Sequence, residues 1–155
     1  MTILGIDPGT TRIGYGFIEK NKGLHMLDCG LINGEGVEVE QRLVHLEGEF
    51  EKLLKEKKPD LVCLEKLFFA KNKKTASAVS EARGVLLLVV RKAGFDLMEF
   101  TPSEIKSTVV GDGKANKNAV KQAVMMTLGV KDIPGPDDVS DALAVALRGS
   151  FERLI

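Results

Sequence analysis

The 155 residues amount to one domain of ordinary size, spanning 1–155, and at 44% hydrophobic and 28% charged the composition excludes a disordered chain. No run of 18 apolar residues occurs, which excludes a membrane-spanning helix, and the 22 basic and 22 acidic side chains cancel to zero, which taken alone argues against a polyanionic partner. Cys29 and Cys63 are too few for a disulfide framework, and with no basic leader or cleavage site behind Met1 the chain reads as cytoplasmic.

Residues 2–6 are short, apolar and rich in strand formers, and Asp7-Pro8-Gly9 stops them. Residues 13–19 and 24–32 are predicted as two more strands, joined at Asn21-Lys22-Gly23, so the chain opens as an antiparallel meander. The period then changes: Leu43, Leu46, Phe50, Leu53 and Leu54 predict a helix over 38–56, stopped at Lys58-Pro59-Asp60. Residues 61–64 are too short for a helix and read as a buried strand. A long apolar helix follows over 75–91, in which Gly84 implies a close packing contact. Residues 95–100 are the fifth strand, and Thr101-Pro102-Ser103-Glu104 is a capping box that opens a helix ending near Gly111. Helices over 116–128 and 137–149 complete the chain, on either side of the rigid Pro134-Gly135-Pro136. Each later strand is reached through a helix and is expected to run parallel to the first through a right-handed crossover. The result is an α/β fold, a five-stranded mixed sheet with helices on both faces, in the element order of the ribonuclease-H-like fold.

Asp7 closes the first strand and Glu65 follows the fourth. In a parallel pair those ends lie about 4.8 Å apart, at the carboxyl edge where open α/β sheets place ligands. Two carboxylates at that spacing repel by about 4 kcal/mol at an intermediate dielectric, a cost that a cation between them relieves. Gly5 shares the face of Asp7 and is expected to leave room beside the carboxylate. Glu65, behind Leu61-Val62-Cys63-Leu64, has no solvent-facing alternation to join. Asp138 and Asp141 lie three apart and share a helix face. Asp137 is a natural N-cap, and by spacing either Asp137 or Asp138 qualifies as a third ligand. Four oxygen ligands with no histidine or cysteine suit Mg²⁺ or Mn²⁺ rather than zinc. Two such ions about 4 Å apart clamp an in-line displacement at phosphorus. His25 and His45 lie elsewhere and read as structural.

Gly5-Ile6-Asp7-Pro8-Gly9, followed by Arg12-Ile13-Gly14-Tyr15-Gly16, resembles the opening of the bacterial RuvC Holliday-junction resolvases. Leu64-Glu65-Lys66-Leu67-Phe68-Phe69-Ala70-Lys71-Asn72 resembles their second motif. Glu81-Ala82-Arg83-Gly84, Val109-Val110-Gly111 and Asp138-Val139-Ser140-Asp141-Ala142-Leu143-Ala144 follow in family order. The resemblance implies a homodimeric, Mg²⁺-dependent endonuclease of recombination and repair that nicks two opposing strands of four-way junction DNA symmetrically. It implies two ions per site, with Mn²⁺ as a substitute, and the RuvA–RuvB branch-migration complex as a partner. Asp7, Glu65, Asp138 and Asp141 match the family's metal ligands, which favours Asp138 over Asp137; some members carry histidine at that third position. Lys106 and Lys117 match two lysines near the scissile phosphate. Phe68 matches an aromatic that stacks on a junction base, a contact worth about 1–3 kcal/mol, with Phe69 expected to turn inward.

Lys114, Lys117 and Lys121 have helical spacing opposite Ala119, Val120, Ala123 and Val124, and with Lys71, Lys73, Lys74 and Lys106 they are expected to form a phosphate track. Gly111-Asp112-Gly113-Lys114 is not a Walker A loop, which needs glycine in place of Thr108 and a hydroxyl residue in place of Ala115. The opening motif is also similar to the phosphate loop of sugar kinases, but those need two such domains and far more chain. Charge is segregated along the sequence: residues 1–65 carry −4, residues 66–121 carry +6 and residues 122–155 carry −2. The overall zero therefore does not exclude DNA. The apolar helix over 76–90 is the expected dimer face.

Overall fold

Alternation divides the first strand, β1 (Thr2–Asp7), between two surfaces: Ile3, Gly5 and Asp7 turn one way, Leu4 and Ile6 the other. The computed structural model describes residues 1–66 and 73–152. β1 pairs antiparallel with β2 (Arg12–Lys20), and β2 with β3 (Leu24–Asn33). A 3₁₀ turn at Val39–Gln41 leads into α1 (Arg42–Lys57), and β4 (Leu61–Glu65) returns parallel to β1. Helix α2 (Lys73–Ala93) carries the chain to β5 (Asp96–Phe100), parallel to β4. Helices α3 (Pro102–Val110), α4 (Lys117–Leu128) and α5 (Asp137–Gly149) follow. The sheet order is β3-β2-β1-β4-β5, the expected mixed sheet of five strands.

Each face of the sheet has its own core. Leu4, Ile6, Phe17, Val62 and Leu64 pack against Phe50 and Leu54 of α1 and Leu86 and Val89 of α2. Ile3, Ile18, Leu61 and Cys63 pack against Ile105, Val124, Leu143 and Leu147 of α3, α4 and α5. Asp7 and Glu65 lie on this second face, by the same alternation that buries Ile3 and Cys63.

Helix α5 lies directly on the sheet, because β1 and β2 present glycine to it. A Cβ added at Gly5 would strike the Ala142 carbonyl oxygen and the Ala146 nitrogen, and one at Gly14 the Asp138 carbonyl oxygen. The room that Gly5 is expected to leave beside the Asp7 carboxylate is filled by helix backbone. Two other expectations change. A Cβ added at Gly84 would meet nothing within 4 Å, so that glycine faces open space rather than a packing partner. The N-cap of α5 is Pro136, and Asp137 is its first helical residue, an acid favoured there by the helix dipole. Among the described residues no helix is long and apolar enough to cross a membrane.

Candidate active site

β1 and β4 are paired as far as Ile6 and Leu64, and one step further Asp7 and Glu65 emerge on the α5 side. Glu65 is in register with Phe100, where β5 ends, so α3 begins beside it. That start is fixed by the expected capping box: the Glu104 N–H donates to Thr101 Oγ1 at 3.2 Å and the Thr101 N–H donates to Glu104 Oε2 at 2.7 Å, with Pro102 in the first turn. Buried Ile105 anchors the helix, and Lys106 follows on the cleft wall. Helix α4 is capped by Asn116, whose Oδ1 accepts the Ala119 N–H at 2.8 Å. Lys117, its first residue, holds its Nζ 3.7 Å from Asp141 Oδ2.

Gly14 explains how residues so distant in sequence meet. It is the register partner of Asp7, and the Asp138 backbone rests on it. A glycine opposite the first acid therefore draws the first turn of α5 down beside that acid, and Asp141 follows one turn on. Asp7, Glu65, Asp138, Asp141, Lys106 and Lys117 all line one open cleft of about 640 Å³.

The acids act on one another. Burial pushes the Asp7 carboxyl well above its ordinary range, and Glu65, Asp141 and Asp138 push it further. Glu65 is raised by burial and by Asp141, against the opposing effect of its hydrogen bond with Asp7 and of Lys106 and Lys117. The hydrogen bond between them raises Asp7 and lowers Glu65, the directions expected where Asp7 is the donor and Glu65 the acceptor. Asp141 is raised by burial, and Lys117 pulls it back. Among the described residues no three such ligands are drawn together tightly enough to enclose an ion as the side chains lie. Two of the acids are paired with cations of the chain: Asp141 with Lys117, and Asp138 with Arg12, whose Nη2 lies 3.2 Å from Oδ2. The donor set is entirely oxygen and raises the cost of its own negative charge, which fits a hard divalent cation.

The lysine stripe expected over 114–121 is shorter than its spacing implied. Lys114 lies in the loop before α4, where its N–H donates to Asp112 Oδ1 at 2.9 Å, and only Lys117 and Lys121 stand on the helix. Lys114, Lys121, Lys73 and Lys74 do not line the cleft; the last two open α2. Phe68, Phe69 and Lys71 lie outside the described residues. His45 Nε2 sits 3.0 Å from the Asn33 carbonyl oxygen and His25 is exposed on β3, so neither joins the acids. The middle pair of the Glu81-Ala82-Arg83-Gly84 motif is structural. Ala82 is buried, and Arg83 forms an ion pair with Glu99 that ties α2 to β5. Arg12 and Lys66 do not stand out as site residues in the sequence. Lys66 lines the cleft, and its position directly behind Glu65 is a usable signal. Arg12 depends on strand register, which sequence does not display.

The family model for crossover junction endodeoxyribonuclease RuvC matches residues 3–148. A protein of that name from Prochlorococcus marinus (strain MIT 9313) is 43% identical over 155 residues, covering 99% of this chain and 100% of its own. The Thermus thermophilus RuvC structure superposes with a TM-score of 0.86 at 29% identity, covering 97% of this chain and 94% of that one. T. thermophilus RuvC in complex with Holliday junction substrate superposes with a TM-score of 0.88, again at 29% identity, covering 97% and 93%.

Proposed function

The chain belongs to the crossover junction endodeoxyribonuclease RuvC family, and from that premise we propose that it resolves four-way DNA junctions by metal-dependent hydrolysis of two opposing strands. The observation that carries the reading is the meeting, in one cleft, of four acids from three separate parts of the chain with two lysines. Asp7, Glu65, Asp138 and Asp141 would hold divalent cations, two Mg²⁺ in this reading, with Mn²⁺ as a substitute. Such ions supply activation of water and stabilisation of charge at the scissile phosphate. Lys106 and Lys117 bring positive charge to the same wall, which offsets the repulsion between a phosphate and the carboxylates. Lys71, Lys73, Lys74, Lys114 and Lys121 are assigned to the phosphates of the junction arms, and Phe68 to stacking on a junction base by family resemblance. A RuvA–RuvB complex as partner and the cytoplasm as location come from the same resemblance.

The test is cleavage of a synthetic four-way junction. With Mg²⁺ we expect paired, symmetric nicks whose products ligate directly, and with EDTA none. Cleavage that persists in EDTA would overturn the metal chemistry, and equal cleavage of linear duplex would overturn the substrate.

Two opposed nicks require two sites, and we infer a symmetric homodimer. Glu81, Gly84 and Leu88 lie on the outer side of α2 at helical spacing; Leu88 is 53% exposed and Gly84 leaves space for a close approach. Leu88→Asp is expected to halve the mass observed in sedimentation velocity and to uncouple the paired nicks. A dimer of undiminished affinity would move the interface to another face.

A further inference from the structure

Arg12 has no part in that scheme, yet its guanidinium reaches one of the four acids. On β2, residues 12, 14 and 16 share the face that carries α5. Gly14 and Gly16 form the seat of the helix, and Arg12, two residues before Gly14, reaches Asp138 in the helix's first turn. Its backbone is held in place: the Gly34 N–H donates to the Thr11 carbonyl oxygen at 2.7 Å, and Gly9 lies so close that an added Cβ would strike the Arg12 carbonyl oxygen. The head of the side chain is less confined, at 43% exposed, with Nη2 3.2 Å from Asp138 Oδ2. Arg12 does not itself line the cleft, so it draws Asp138 from outside. All four carboxylates have partners from the chain: Asp7 and Glu65 have each other, Asp141 has Lys117 and Asp138 has Arg12.

We propose that Arg12 is the resident counter-ion of Asp138, from which a divalent cation must take that carboxylate. The proposal rests on the reading of Asp138 as a metal ligand. A fixed positive charge beside a ligand oxygen weakens the attraction of the site for a cation. A guanidinium released at the rim of a cleft for DNA pairs readily with a phosphate, in the two-pronged geometry that arginine favours. Ion loading and phosphate binding then favour each other, since a phosphate that takes Arg12 frees Asp138, and an ion that takes Asp138 frees Arg12.

The experiment is Mn²⁺ binding to the DNA-free full chain, followed by the spin-resonance signal of free Mn²⁺, with Asp7→Asn as the background for ions bound elsewhere. Arg12→Gln is expected to bind Mn²⁺ about fivefold or more tightly than the natural chain, and Arg12→Lys, which keeps the charge, within about twofold of it. Binding by Arg12→Gln that is equal or weaker overturns the proposal and leaves the metal reading intact. Tightening by Arg12→Lys as large as by Arg12→Gln also overturns it, because the charge would then be irrelevant. If the natural chain binds no Mn²⁺ above the background, the metal reading falls and this proposal falls with it.

Discussion

Asp7→Asn is expected to abolish junction cleavage while leaving junction binding intact. Residues that merely support metal ligands cost about 10–100-fold when removed, so loss of a ligand should lower the single-turnover rate by at least about 100-fold. The same substitution carries a second expectation of opposite sign. Burial and three neighbouring acids raise the Asp7 carboxyl well above the ordinary 3.8. A carboxyl raised in the folded state contributes its full stability below the unfolded value, and that contribution is lost as pH rises through the folded value. Above the unfolded value the metal-free fold therefore bears a cost for placing Asp7 among buried acids, and asparagine removes part of it. In EDTA at pH 7 the variant should melt above the natural chain, with a margin that shrinks as pH falls towards 3.8. Added Mg²⁺ should reverse the order, because it stabilises only the chain that binds it. A variant that melts lower than the natural chain at neutral pH in EDTA would show Asp7 to be a structural aspartate.

The second large effect is on stability. Gly5→Ala forces a methyl group into the Ala142 carbonyl oxygen and the Ala146 nitrogen of α5. Both are backbone atoms of a buried helix, so neither can swing aside as a side chain would. Overpacking of a close-packed core costs about 1–3 kcal/mol and occasionally more. With backbone as the obstacle we expect about 3 kcal/mol or more, a fall in melting temperature of roughly 6–12 °C for a chain of this size. Cleavage should be lost further than stability, because displacement of α5 carries Asp138 and Asp141 away from Asp7. Wild-type cleavage rates in Gly5→Ala at a temperature where it is fully folded would separate the seat from the site.

The sheet is legible in the sequence because its signals are local. Leu61-Val62-Cys63-Leu64 is too short and too apolar to be anything but a buried strand, and the helices between strands dictate parallel pairing. The four acids are legible for a related reason: Asp7 and Glu65 stand at strand ends, and Asp138 and Asp141 share a helix face. What the sequence hides is tertiary. Gly5 has the same appearance whether it leaves room for a ligand or a seat for a helix, and only the position of α5 decides. Gly84 looks like a packing glycine until the neighbouring elements prove to lie elsewhere. Lys114 has helical spacing with Lys117, but Asn116 caps the helix between them. Arg12 meets Asp138 across more than 120 residues of sequence, through a contact set by hairpin register and helix docking together.

The glycine seat under α5 also bears on synthesis. On the ribosome, Asp7 and Glu65 emerge long before Asp138 and Asp141. The two pairs of acids meet only when α5 settles on Gly5 and Gly14. A nascent copy that ends at Pro136 has every strand of the sheet and half of the acids. Without Asp138 and Asp141 such a copy is expected to cut no DNA, because half of the cleft's acids arrive with α5.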